Sequence, residues 1–212
     1  MANVSRIAGF RPVKHATGSA YTGQANIYAV LASDGTALFV GDPVNLDGSA
    51  HTNGTPSVTK ATATGQVLGV VVGIIPAKMD PVSGAMSAGS VTLDTPQYRA
   101  ASTFAYVLVC DAPDVYYEVE AVTGSNASYT YLLADVGLNV GSTTVAGSTT
   151  TGTSGSAVDM STKATTATLP WKIMGAVQRV DNETISGTST AVKLLVKLNQ
   201  ATLGGGTGAT GV

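Results

Sequence analysis

An all-β fold is predicted: short strands closing into a barrel-like or tulip-like body, with an extended N-terminal arm and long Thr/Gly/Ser-rich loops. Three observations predict it. Short apolar, β-branched runs recur between clusters of Gly, Pro, Asn and Asp, the pattern of strands and turns. Charged residues are 11 % of the 212, against roughly 25 % in an average soluble domain, so Thr, Ser, Asn and Gly must form the polar surface. The apolar run Val67 to Ile75 carries Gly69 and Gly73, which suggest bulges or tight curvature, as in a small barrel.

Residues 1–24 are expected to form the arm. No acidic residue precedes Asp34, whereas Arg6, Arg11 and Lys14 make the stretch basic. Val4, Ile7, Phe10, Val13 and Tyr21 keep no period, and Gly9, Pro12, Gly18 and Gly23 interrupt them. Such a segment is either a disordered leader or an arm with apolar residues to bury and arginines to pair once a partner is present.

The body spans residues 25–200. Ala25 to Leu31 and Thr36 to Val40 flank the turn Ser33-Asp34-Gly35 and read as a hairpin. Val44 and Leu46 alternate between turn residues, and Val67 to Ile75, Phe104 to Cys110, Val115 to Val122, Trp171 to Val180 and Ala191 to Leu198 follow as strands. Tyr129 to Asp135, ended by Gly137, is the one short helical turn. Residues 77–90 and 141–168 are loops, the latter an insertion of Gly, Ser, Thr and Ala too poor in apolar surface to order itself. Residues 201–212 are a flexible Gly/Thr tail.

An internal echo suggests two related subdomains. Asp42 to Leu46, Lys60 to Thr64 and Leu68 to Val71 correspond to Asp135 to Asn139, Lys163 to Ala167 and Met174 to Val177. Each set reads as an Asp-led turn, a Lys-Ala-Thr run and an apolar strand around a glycine.

Chemistry is sparse. Eleven basic against thirteen acidic residues leave a net charge of −2, no field for nucleic acid or an anionic membrane. The longest apolar run is far short of the ~20 residues of a membrane helix. The start, Met1-Ala2-Asn3-Val4-Ser5-Arg6, lacks an apolar core, so a cytoplasmic site of synthesis is expected. Gly206 to Gly211 has dinucleotide-binding spacing, but only Val212 follows where that motif needs a helix. His15 and His51 lack metal-ligand spacing, and Cys110, the single cysteine, reads as a buried inert thiol. Asp111 with Asp114, and Glu118 with Glu120, are the carboxylate pairs to test for acid–base work; a solvated sheet face explains the second pair more simply. Asp42, Asn45 and Asp47 offer oxygen ligands, but Pro43 breaks a calcium-loop pattern. No enzyme, cofactor or metal site is expected.

Asn3 to Val13, Gly41-Asp42-Pro43-Val44, Val67 to Gly73, Thr95 to Ala100 and Ile173 to Arg179 together make the chain resemble head decoration, or capsid cement, proteins of tailed bacteriophages. The resemblance implies a virion protein that forms homotrimers on the outside of the expanded head and stabilises the lattice of the major capsid protein. It also implies that the arm lies across capsid subunits by strand addition, with Val4, Ile7, Phe10 and Val13 as apolar anchors and Arg6 and Arg11 paired to capsid carboxylates. The alternative is a head-fibre or receptor-binding module whose exposed loops recognise host surface glycans.

Overall fold

The computed structural model describes residues 3–75, 97–203 and 208–211. In chain order the strands are β1 (Arg11–His15), β2 (Asn26–Val30), β3 (Leu38–Phe39), β4 (Pro43–Ala50), β5 (Pro56–Lys60), β6 (Gly69–Ile75) and β7 (Tyr98–Arg99). They continue as β8 (Ala105–Cys110), β9 (Val115–Thr123), β10 (Ala127–Ser128), β11 (Asn139–Ser142), β12 (Val158–Ala164), β13 (Trp171–Ala176) and β14 (Lys193–Leu198). The 3-10 turn Leu133–Asp135 falls within the expected helical turn. The all-β class follows from this inventory.

The first barrel closes in the order β2-β5-β4-β6-β8. In the second sheet the β9–β14 pairing joins the ends of the path β9-β12-β11-β13-β14, so this too is a closed ring. The rings match strand for strand. Each begins with a parallel pair, β2–β5 or β9–β12, and every other pairing around it is antiparallel. Each also has a register shift at a glycine, between Val71 and Gly73 in one and between Ile173 and Gly175 in the other. The Asp-led and Lys-Ala-Thr segments of the echo fall at equivalent places, Lys60 ending β5 and Lys163 next to last in β12, but the third is out of register, Gly69 opening β6 and Gly175 lying near the end of β13.

Pairing departs from local expectation near the N-terminus. No hairpin joins residues 25–31 to 36–40. β2 pairs with β8 and β5, while β3 pairs with β7. Ring closure recruits β2 as an interior strand, and a two-residue β3 is left to cap the barrel end.

The first barrel is filled by Tyr28, Val30, Leu38, Val44, Val58, Leu68, Val71, Val107 and Val109. A second cluster fills the other barrel around Tyr117, Met160, Trp171, Ile173, Leu194 and Val196, and runs on into Val67, Val70 and Cys110 of the first. The two barrels therefore share an apolar seam. Tyr117 Oη donates to Cys110 O across it at 3.0 Å.

The insertion 141–168 is ordered, against the expectation of an exposed loop. Its ends are β11 and β12, and Ser154, Ser156, Ala157 and Val158 are buried. Val40 N donates to Gly152 O and Ser154 N to Val40 O, laying the segment on the first barrel. Small residues make this possible, because a Cβ at Gly147 would lie 2.4 Å from the Phe39 ring. Composition argued against order by counting apolar area, but the segment is held by hydroxyls bonded to a buried carboxylate. The described part of residues 201–212 is also docked: Asn139 Nδ2 donates to Ala209 O, Lys172 Nζ to Thr210 O and Gly211 N to Thr165 O. The loop expected over 77–90 lies outside the described residues.

Candidate partner-binding surface

The N-terminal segment is folded onto its own body rather than extended from it. Asn3 Nδ2 donates to the carbonyls of Glu183 and Thr190, Ser5 Oγ donates to Glu120 at 2.6 Å, and Arg6 N donates to the same carboxylate at 2.8 Å. Gly9 and Gly41 then cross at van der Waals contact. A Cβ on Gly9 would lie 2.5 Å from Gly41 O, both glycines have positive φ, and Phe10 N donates to Gly41 O. Beyond the crossing, β1 pairs antiparallel with the first half of β9, on the side that β12 takes further along that strand.

This path sorts the six candidate residues. Phe10 is 1 % exposed and stacks on Trp171, ring centroids 4.3 Å apart, while Tyr117 meets the indole edge-on. Ile7 packs against the same core. As folded, these two anchor the segment to the second barrel, not to a partner. The physical reason is local: Trp171 and Tyr117 offer a stacking site at the seam, and burying an aromatic there is worth about 2–3 kcal/mol. Val4, at 63 % exposure, and Val13, at 40 %, face outward, as do Arg6 and Arg11. Neither arginine is in an ion pair among the described residues.

The carboxylate pairs are engaged separately. Glu118 receives both Nη groups of Arg179 at 2.8 Å, and Glu120 is 4 % exposed under the N-terminal segment, so this face is covered rather than solvated. Asp111 accepts from Asn26 and from Tyr28 Oη, and Asp114 sits 3.1 Å from His15 Nδ1. Cys110 is fully buried, which pushes its thiol pKa up and keeps it protonated. His51 packs among Phe104 and Tyr106. Among the described residues no group of three or more His, Cys, Asp or Glu is placed to hold a metal ion.

Two polar centres escaped sequence reasoning. Asp42 accepts from Ser154 Oγ, Ser156 Oγ and Phe39 N and pairs with Lys60 at 3.0 Å. Arg99, 2 % exposed, donates to the carbonyls of Leu31, Asp34, Thr36 and Thr103. Burial pulls its guanidinium pKa down, and the charge of Asp34 opposes this. The Asp and Lys of the echo were the available signal for the first centre; nothing local marks Arg99.

The class defined by this geometry is a tandem double β-barrel strapped by its own N-terminus, with an outward row of apolar and cationic side chains along the strap. No family model matches the chain, and neither a curated protein nor a solved structure is significantly similar to it.

Proposed function

We propose that this protein is a structural component of a virion, a cement protein whose trimers bind the outside of an expanded phage head and hold the lattice of the major capsid protein. The observation that carries the reading is the strap: Val4, Arg6, Arg11 and Val13 project outward from a segment that is itself locked down. Apolar side chains beside exposed cations suit an interface, and a backbone segment that is already locked loses little entropy on binding. Three straps on one trimer would bind by effective concentration, and the closed lattice would gain stability because the cement binds it and not its separated subunits.

The test is cosedimentation of the purified full chain with expanded empty capsids lacking it, followed by heating decorated and bare shells side by side. Saturable binding with a raised disruption temperature is expected, together with loss of binding in Val4→Asp/Arg6→Glu. No binding by the unaltered chain overturns the reading.

One observation favours the glycan-binding alternative. His51, Phe104 and Tyr106 form an aromatic cluster at the β4–β5 hairpin, and Asn53 donates to Tyr106 Oη. Saturable binding of host envelope polysaccharide, lost in Phe104→Ala, would establish that reading instead.

A further inference from the structure

A groove of about 260 Å³ opens where the strap, the first barrel and the insertion of the second barrel meet. Its walls are Phe10, Tyr21, Val40, Val71 and Val72, and Arg11 stands at its lip. The volume falls below the ~300–1,000 Å³ of small-molecule sites and suits one large side chain. Val40, Val72 and Tyr21 are half-buried, so apolar surface remains there for an occupant.

Charge identifies the occupant. Arg11 lies opposite Glu118 in the β1–β9 pairing, but Glu118 is held by both Nη groups of Arg179. Among the described residues Arg11 is therefore a cation without an ion pair, and Arg6 and Lys193 line the adjoining recess with it. Glu120, on that recess, is engaged by Ser5 Oγ and Arg6 N. An apolar slot beside a free guanidinium recognises an aliphatic or aromatic side chain flanked by a carboxylate.

We infer that the groove receives an extended acidic segment of the partner protein, one large apolar side chain entering between Val72 and Tyr21 and a neighbouring carboxylate pairing with Arg11. The inference rests on the cement reading for the source of the segment, and it reverses the direction of the clamp. The strap builds the receiving site, and the partner supplies the inserted chain.

Trp171, the sole tryptophan, stacks on Phe10 behind the groove and reports occupancy by its fluorescence. The full chain is titrated with the capped peptide Asp-Phe-Asp and with capped Lys-Phe-Lys. Expected is a saturable change with the acidic peptide and at least ten-fold weaker binding of the basic one. Arg11→Glu should remove that preference and Val72→Asp should abolish acidic-peptide binding, both with unchanged thermal melting, whereas Thr52→Glu on the distant hairpin should leave binding intact. No saturable change, an equal response to both peptides, or an unaltered response in Arg11→Glu overturns the inference. Capsid sedimentation separates the two ideas: shell binding without a peptide response removes the groove alone, and a peptide response without shell binding removes the shell alone.

Discussion

The two barrels carry the same polar clip in different surroundings. In the first, Asp42 takes the Phe39 amide and the Lys60 ammonium; in the second, Asp135 takes the Leu132 amide at 3.1 Å and the Lys163 ammonium at 2.7 Å. In both the amide donor stands three residues before the carboxylate, and partner types correspond. The cover does not. Ser154 and Ser156 from the second barrel close over Asp42 and leave the Lys60 side chain 8 % exposed, whereas Lys163 is 31 % exposed and takes Tyr129 Oη as its other partner. A conserved-geometry ion pair is thus a dry inter-barrel joint in one copy and a half-wet surface clip in the other. What a charge pair contributes is set by what closes over it.

Removing the carboxylates should expose that difference most. Asp42→Ala strands a buried ammonium and two hydroxyls, for an expected loss of about 3–5 kcal/mol. Asp135→Ala leaves Lys163 access to water and should cost about 1–2 kcal/mol. Urea unfolding of both variants checks this, and equal losses would show that cover is not what separates the clips.

The apolar residues beside the clips sharpen the contrast. Phe39 is 2 % exposed, stacked on Tyr98 at 5.1 Å and covered by Gly147, while its counterpart Leu132 is 39 % exposed. Phe39→Ala should cost about 3 kcal/mol and Leu132→Ala less than about 1 kcal/mol. Thermal melts that rank them the other way would mean the second barrel's end is the better packed.

Alkaline pH gives the smallest effect. Burial pulls Lys163 down, but Asp135 and Tyr129 more than offset it, so its pKa is raised. Burial, with the Cys110 thiol adding to it, pushes Tyr21 up to about 12, and Tyr117 is raised well above its ordinary value by the same causes. Groups raised on folding contribute stability that is complete below their unfolded pKa values, near 10 to 10.5. That stability is lost as pH climbs through the folded values. Stability should hold flat from neutrality to about pH 10 and fall beyond it. Ionisation of Tyr21 or Tyr117 near pH 10 in the folded chain, read from their own ring resonances, would contradict their burial.

Much of the fold was legible because strand patterning and turn residues are local. Val67 to Ile75 declared both a strand and, through Gly73, its bulge, and the Asp-led and Lys-Ala-Thr segments marked equivalent places in two rings. Pairing partners were not legible. β2 sits beside β8, some eighty residues on, by a closure that no hairpin signal announces. Of the residues expected to meet a partner, Val4, Arg6, Arg11 and Val13 lie exposed on the folded chain, whereas Phe10 is drawn inward by Trp171, a neighbour more than a hundred residues away. The order of residues 141–168 was hidden for a related reason. Its organising group, Asp42, belongs to the other barrel.

Chain growth gives the strap a timetable. Residues 3–10 leave the ribosome well before Glu120 and Trp171, which hold them, and Asp42 must likewise await Ser154 and Ser156. The first barrel can close once Cys110 has emerged, but it then carries an unfinished carboxylate and a loose, sticky leader. The strap is therefore made well before the groups that seat it, and its docking waits on the second barrel.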